Sequence, residues 1–193
     1  MRNKFFTYHI FLIFFMLFSS ENFAKNSANQ ETIILAGGCF WGVEELFQNF
    51  EGVIATEVGY SGGFSENPTY ETVSSGLTGH AESVKITFDN SKTSLEKILK
   101  FFFAIHDPTQ LNRQQNDVGS QYRSEIFYFN DTQKQKAQDI IQQAEKLKIY
   151  KSKIQTKISL ASKFYKAEKY HQDYLKNNPN GYTCHYLREE WKF

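Results

Sequence analysis

Hydrophobic and polar positions alternate along this chain with two different periods, and the changes of period mark its elements. "TIILA" (Thr32 to Ala36) is a short continuous apolar run, as expected of a central strand. In "WGVEELFQNF", Val43, Leu46, Phe47 and Phe50 fall at i, i+3, i+4 and i+7, which places them on one helical face. "VIATEVGY" alternates through Ile54, Thr56, Val58 and Tyr60, a second strand, and the turn-rich "GYSGGFSENPTYETVSSGLTGH" that follows predicts a long loop. "ESVKITFD" sets Val84, Ile86 and Phe88 on one face and Ser83, Lys85 and Thr87 on the other.

Thr93 and Glu96 have capping-box spacing ahead of Leu95, Ile98, Leu99, Phe102 and Ile105, predicting a second amphipathic helix. "SEIFYF" (Ser124 to Phe129) reads as a fourth strand. Thr132 and Gln135 then cap a third helix with an apolar stripe of Ala137, Ile140, Ile141, Ala144 and Leu147. From Lys148 onward the pattern supports a short strand, a short helix around Glu168 to Leu175, and an irregular tail. The order strand, helix, strand, strand, helix, strand predicts an α+β fold: a ferredoxin-like split βαβ sandwich with an extra helix and an irregular C-terminal tail.

The first residues obey a different logic. Arg2 and Lys4 precede "FFTYHIFLIFFMLF", too short for a comfortable membrane span, and "SSENFA" offers small residues for cleavage after Ala24. Residues 1–24 therefore read as a signal peptide, with an uncleaved anchor as the alternative, and residues 25–193 as a single domain of an exported, periplasmic protein with no membrane attachment after cleavage. Loss of Arg2, Lys4 and Glu21 leaves 20 basic and 20 acidic residues, so no nucleic-acid partner is expected. Only two cysteines exist, Cys39 and Cys184, and in an oxidising compartment such a pair is often a structural disulfide.

The neighbours of Cys39 give it a second reading. It stands between strand and helix, where first-turn amides favour a thiolate, the nucleophilic form, although a small buried side chain at a strand end fits the same position. Phe40 and Trp41 follow at once; they are either ordinary core or the walls of a pocket for an apolar group such as a methyl on sulfur. Glu82 shares the parity of Val84, Ile86 and Phe88, so its carboxyl points to the apolar side, where desolvation would keep it protonated and suited to general-acid work unless it turns to water. His80 is expected to hold its loop or cap its strand. Asp117 and Tyr122, in "HDPTQLNRQQNDVGSQYRS", are delivered to one end of the sheet. Cys39, Cys184 and His185 lack the close ligand pairs of a zinc site, and no metal is expected.

Taken in order, "GGCFWGVE", "GYSGG", "NPTYE", "TGHAE", "HDPT", "QYRS" and "YHQDYL...NPNGY" closely resemble the peptide methionine sulfoxide reductases of the A type, over Ile33 to Cys184. The resemblance implies an enzyme that reduces methionine-S-sulfoxide, free or in proteins. Cys39 would attack the sulfoxide sulfur and Glu82 would protonate the departing oxygen. Tyr70 and Tyr122 would hydrogen-bond that oxygen, Asp117 would support the site, and Phe40 and Trp41 would enclose the methyl. The product on Cys39 would be a sulfenic acid, which a second thiol converts to a disulfide. Cys184 is the one candidate for that second thiol.

The resemblance further implies no bound cofactor, a thioredoxin-like protein or a dithiol as reductant, oxidised proteins, peptides or free methionine sulfoxide as substrates, and a monomer. Two departures stand out: Gln115 occupies a position where the family usually has glycine, and the tail lacks the glycine-rich stretch with two recycling cysteines. Two other classes stay open on the residues: a thiol hydrolase pairing Cys39 with a histidine, and a non-enzymatic domain stapled by a Cys39–Cys184 disulfide.

Overall fold

The computed structural model describes residues 29–193, so the expected signal segment and its cleavage after Ala24 lie outside the described residues. The fold is mixed α/β around a six-stranded sheet of order β7-β6-β1-β3-β2-β8. Its strands are β1 (Gln30–Gly37), β2 (Val53–Ser61), β3 (Ala81–Asp89), β6 (Ser124–Tyr128), β7 (Lys157–Leu160) and β8 (Tyr165–Lys166). β1 pairs antiparallel with β6, β2 antiparallel with both β3 and β8, and β6 parallel with β7. A separate two-residue ribbon joins β4 (Arg113–Gln114) to β5 (Asp117–Val118).

Three helices supply most of the packing: α1 (Phe40–Gln48), α3 (Leu95–Ile105) and α4 (Asp131–Lys146). Val43 and Phe47 of α1, Ile98, Leu99 and Phe102 of α3, and Ala137, Ile140 and Ala144 of α4 share one buried cluster with Ile33, Leu35, Val84, Ile86, Phe88 and Ile126 of the sheet. The alternate residues Ile34 and Ala36 of β1, with Ala81 and Phe127, face a smaller cluster closed by Ala161 and Phe164. β1 is thus buried on both faces, which is why it reads as a continuous apolar run.

Several local expectations are corrected. Ser94 rather than Thr93 caps α3, its hydroxyl accepting from the Lys97 amide at 3.3 Å. Asn130 rather than Thr132 caps α4, accepting from the Gln133 amide at 3.0 Å. Ile54 is exposed because the β2–β3 register slips between Val53 and Ala55, a bulge that turns the strand's first residues off its period. Inside the expected long loop lies a further helix, α2 (Tyr70–Ser74), whose Thr69 and Thr72 cap each other reciprocally. The region expected as one short helix around Glu168 to Leu175 is a 3₁₀ turn, Lys169–His171, followed by α5 (Tyr174–Asn177).

Candidate active site

Cys39 occupies the N-cap of α1, directly after β1. Gly38 precedes it with φ +107°, a left-handed backbone that turns the chain sharply from strand to helix. The sulfur is buried and makes no capping hydrogen bond. Burial above all, then Glu82, hold the thiol well above its ordinary range, with Asp117 and Cys184 adding to this and the Trp41 amide only partly opposing it. The helix start therefore does not produce a resting thiolate. First-turn dipoles act in the expected direction but are outweighed by desolvation and a neighbouring acid. Glu44, a near neighbour in sequence, is turned away: it accepts from Thr56 Oγ1 at 3.2 Å and from the Asp173 amide at 2.9 Å.

Glu82 is the second residue of β3 and is buried, as its parity predicts. Its Oε2 accepts from the Phe40 amide at 3.1 Å, yet desolvation pushes the carboxyl up to about 8, with Asp117 raising it further. At neutral pH the group is mostly a protonated acid, poised beside the thiol. Tyr70, at the start of α2, and Tyr122, in the 3₁₀ turn Ser120–Tyr122, both feel Glu82 and Cys39, and burial raises both phenols, so each stays a hydroxyl donor. Asp117 of β5 accepts from Tyr182 Oη at 3.2 Å and from Cys184 Sγ at 3.3 Å. All six polar candidates thus converge on the end of the sheet where β1 stops and β3 begins.

Phe40 and Trp41 form a wall with partners the sequence reading did not single out. The Trp41 indole stacks on Tyr174 with ring centroids 3.8 Å apart and planes 14° apart, and its Nε1 donates to His171 Nδ1 at 3.1 Å. His171 lies 5.2 Å from the Phe40 ring and 4.4 Å from the Tyr70 ring, centroid to centroid. Glu168 accepts from the Tyr70 amide at 2.9 Å and from Tyr60 Oη at 2.8 Å. These residues approach from 98 or more positions away, so no periodicity marks them; the clustered "EKYHQDY" was the available signal. His80 takes the structural role expected of it, accepting from the Gly63 amide at 3.2 Å and bonding the Ser65 carbonyl at 2.9 Å.

Gln115 sits in the two-residue turn of the β4–β5 ribbon with φ +52°, a conformation glycine adopts far more easily. Both cysteines are free thiols. Glu82, Asp117 and Cys184 all act on the Cys39 thiol in the raising sense.

A thiol, a protonated carboxyl, two phenols and an aromatic wall around one point suit the transfer of an oxygen atom from a small apolar group. The family model for peptide methionine sulfoxide reductase matches residues 31–192. The chain belongs to the peptide methionine sulfoxide reductase family, and it is an oxidoreductase. A peptide methionine sulfoxide reductase MsrA of Nocardia farcinica is 48% identical over 159 residues, covering 82% of this chain and 91% of the relative. Among solved structures, the reduced form of Mxr1 from Saccharomyces cerevisiae superposes with a TM-score of 0.79 at 37% identity, covering 84% of this chain and 94% of the other. The same yeast protein in complex with Trx2 gives a TM-score of 0.58 at 26% identity, over 84% and 92% of the two chains.

Proposed function

We propose that this protein reduces the S epimer of methionine sulfoxide, free or within peptides and proteins, to methionine. The observation that carries this reading is the buried Glu82 carboxyl, held by the Phe40 amide beside the buried Cys39 thiol, where desolvation favours the protonated acid. The substrate methyl rests against Phe40 and Trp41, and the sulfoxide oxygen faces Glu82, Tyr70 and Tyr122. Cys39 bonds to the sulfoxide sulfur while Glu82 gives its proton to the oxygen and the thiol proton returns to Glu82. Collapse releases methionine and leaves the oxygen on Cys39 as a sulfenic acid. Cys184 then displaces that oxygen as water, forming a disulfide. A thioredoxin-like reductant restores both thiols, a step supported by the relative found in complex with Trx2.

Export to the periplasm after cleavage at Ala24, repair of oxidised exported proteins and a monomeric state complete the proposal. The pattern of Arg2, Lys4, the apolar run and the small residues before Lys25 supports export. We read the core as a split βαβ, since β6-β1-β3-β2 is the order that two interleaved βαβ units produce, with α1 and α3 as their helices. The test of the reaction is incubation of the protein with each epimer of a blocked methionine sulfoxide and dithiothreitol. Methionine should form from the S epimer with little from the R epimer; equal turnover of both would contradict a chiral site around Cys39.

A further inference from the structure

Beside Cys184 lies a buried imidazole that the reaction above does not use. His185 Nε2 bonds the Gly37 carbonyl at 2.7 Å, and since a carbonyl only accepts, Nε2 carries the hydrogen. That fixes the neutral tautomer and leaves the Nδ1 lone pair free. Its partner is Cys184 Sγ, at 3.5 Å. The ring packs where no side chain intervenes: a Cβ on Gly42 would meet Thr183 Oγ1 and would lie 2.7 Å from His185 Nδ1, and one on Gly38 would lie 3.0 Å from His185 Cε1. Two glycines flanking the Cys39 turn thus make room for the tail that brings the second thiol.

Cys184 needs such a partner. Burial, then Asp117, push its thiol up to about 12, so at neutral pH almost none of it is the thiolate that attacks sulfur. Asp117 Oδ2 holds the thiol from one side at 3.3 Å and already takes the Tyr182 hydroxyl on its other oxygen. The single thiol proton lies toward Asp117 in this arrangement, and the free nitrogen of His185, at 3.5 Å, is the second acceptor to which it can turn.

Resting on the sulfenic-acid reading, we infer that His185 is a further catalytic residue, accepting the Cys184 proton through Nδ1 as the disulfide forms. Cys184 sulfur bonds to Cys39 sulfur and the Cys39 S–O bond breaks. Cys184 is oxidised and the sulfenic sulfur reduced, and the proton taken by Nδ1 passes to the departing hydroxide, giving water. The groups facing the imidazole leave Nδ1 unprotonated but make it a weak base, so it takes the proton in concert with S–O cleavage and not beforehand. Burial first, and Arg188 with it, hold His185 down to about 4, while Asp117 and the Gly37 carbonyl act in the opposite sense; His106 also lies within reach. The nitrogen is therefore unprotonated throughout the working pH range, and Asp117 favours the transient imidazolium.

His185→Gln separates the two duties of the ring, because a glutamine amide can still donate to Gly37 but offers no base to Cys184. Reduced protein is mixed with methionine-S-sulfoxide in the absence of reductant, and released methionine and free thiols are counted against time. Counted from the sulfenic acid onward, wild-type disulfide formation should be flat between about pH 6 and about pH 9, since the neutral fraction of His185 does not change there. In His185→Gln it should slow about a hundredfold at neutral pH and rise about tenfold per pH unit, as hydroxide must then make the thiolate. A wild-type rate in the variant, or a slowing equal at every pH, would overturn the inference. Should the variant fail to fold, a wild-type rate that itself climbs about tenfold per pH unit would overturn it equally. Wild-type protein that releases no methionine at all would instead defeat the sulfenic-acid reading beneath it.

Discussion

The Phe40 amide donates to Glu82 Oε2 at 3.1 Å, tying the first helical peptide after Cys39 to a carboxyl near the start of β3. This bond fixes the acid against the thiol although the two residues are 42 positions apart in the chain. It does not keep the carboxyl ionised, because burial dominates and holds it near 8.

Glu82→Gln keeps the amide contact and removes the transferable proton. The reduction step should fall by about two orders of magnitude or more, the scale of a lost general acid. Single-turnover methionine release measures it, and a rate within a few-fold of wild type would remove Glu82 from that role. In the wild type the same step should decline as pH rises through about 8, where Glu82 loses its proton.

Stability carries a signature of the same group in the same pH direction. A carboxyl raised in the folded state from 4.5 to about 8 supports folding fully below the lower value, and that support is lost as pH rises through the upper one. Glu82→Gln should therefore raise Tm relative to wild type more at about pH 9 than at about pH 5. Thermal melts at the two pH values check this, and an equal shift at both would contradict the buried acid.

Gln115→Gly should stabilise the protein by about 0.5–1 kcal/mol, the left-handed strain relieved less the extra backbone entropy of glycine. The turn it sits in carries Asp117, whose ribbon partner is Gln114. Urea denaturation gives the change, and a loss of stability would mean that Gln115 is held by more than its backbone bonds, its amide donating to Gln110 Oε1 at 2.8 Å and its carbonyl accepting from Arg113 Nη2 at 2.6 Å.

Arg123 and Glu125 form a buried ion pair at 2.6 Å, and Arg123 also donates to the Ser120 carbonyl at 3.0 Å, bracing the turn that presents Tyr122. Arg123→Ala leaves the Glu125 carboxylate buried without its partner and should cost about 3–5 kcal/mol. Denaturant midpoints measure this, and a loss below about 1 kcal/mol would place the pair in the class of surface bridges.

The alternation in β3 was legible because one of its faces packs on helices, and it placed Glu82 correctly before any contact was known. Caps were less legible: Thr93 and Ser94 have similar local chemistry, and packing of Thr93 against Gly52 leaves the cap to Ser94. The bulge that exposes Ile54 depends on pairing with β3, which strand periodicity does not encode. Tyr70 drew attention only through resemblance to a family, and Cys184 acquired its role as second thiol the same way, since neither lies on a periodic segment. His171, Glu168 and His185 act across more than 90 positions of chain, and their partners emerge only when the tail folds back over β1, β2 and α1. The thiolate tendency of the helix start is outweighed for a related reason, because a dipole is local whereas the burial of Cys39 is set by the whole fold.

The most direct measurement is a stoichiometric one. Reduced protein is mixed with excess methionine-S-sulfoxide and no reductant, and methionine and remaining thiols are counted for wild type, Cys184→Ser and Cys39→Ser. Wild type should release about one methionine per chain and lose both thiols to a Cys39–Cys184 disulfide. Cys184→Ser should release about one methionine yet fail to cycle with a thioredoxin-like protein, and Cys39→Ser should release none. Methionine release from Cys39→Ser, or normal cycling of Cys184→Ser with that protein reductant, would contradict the assignment of the two thiols.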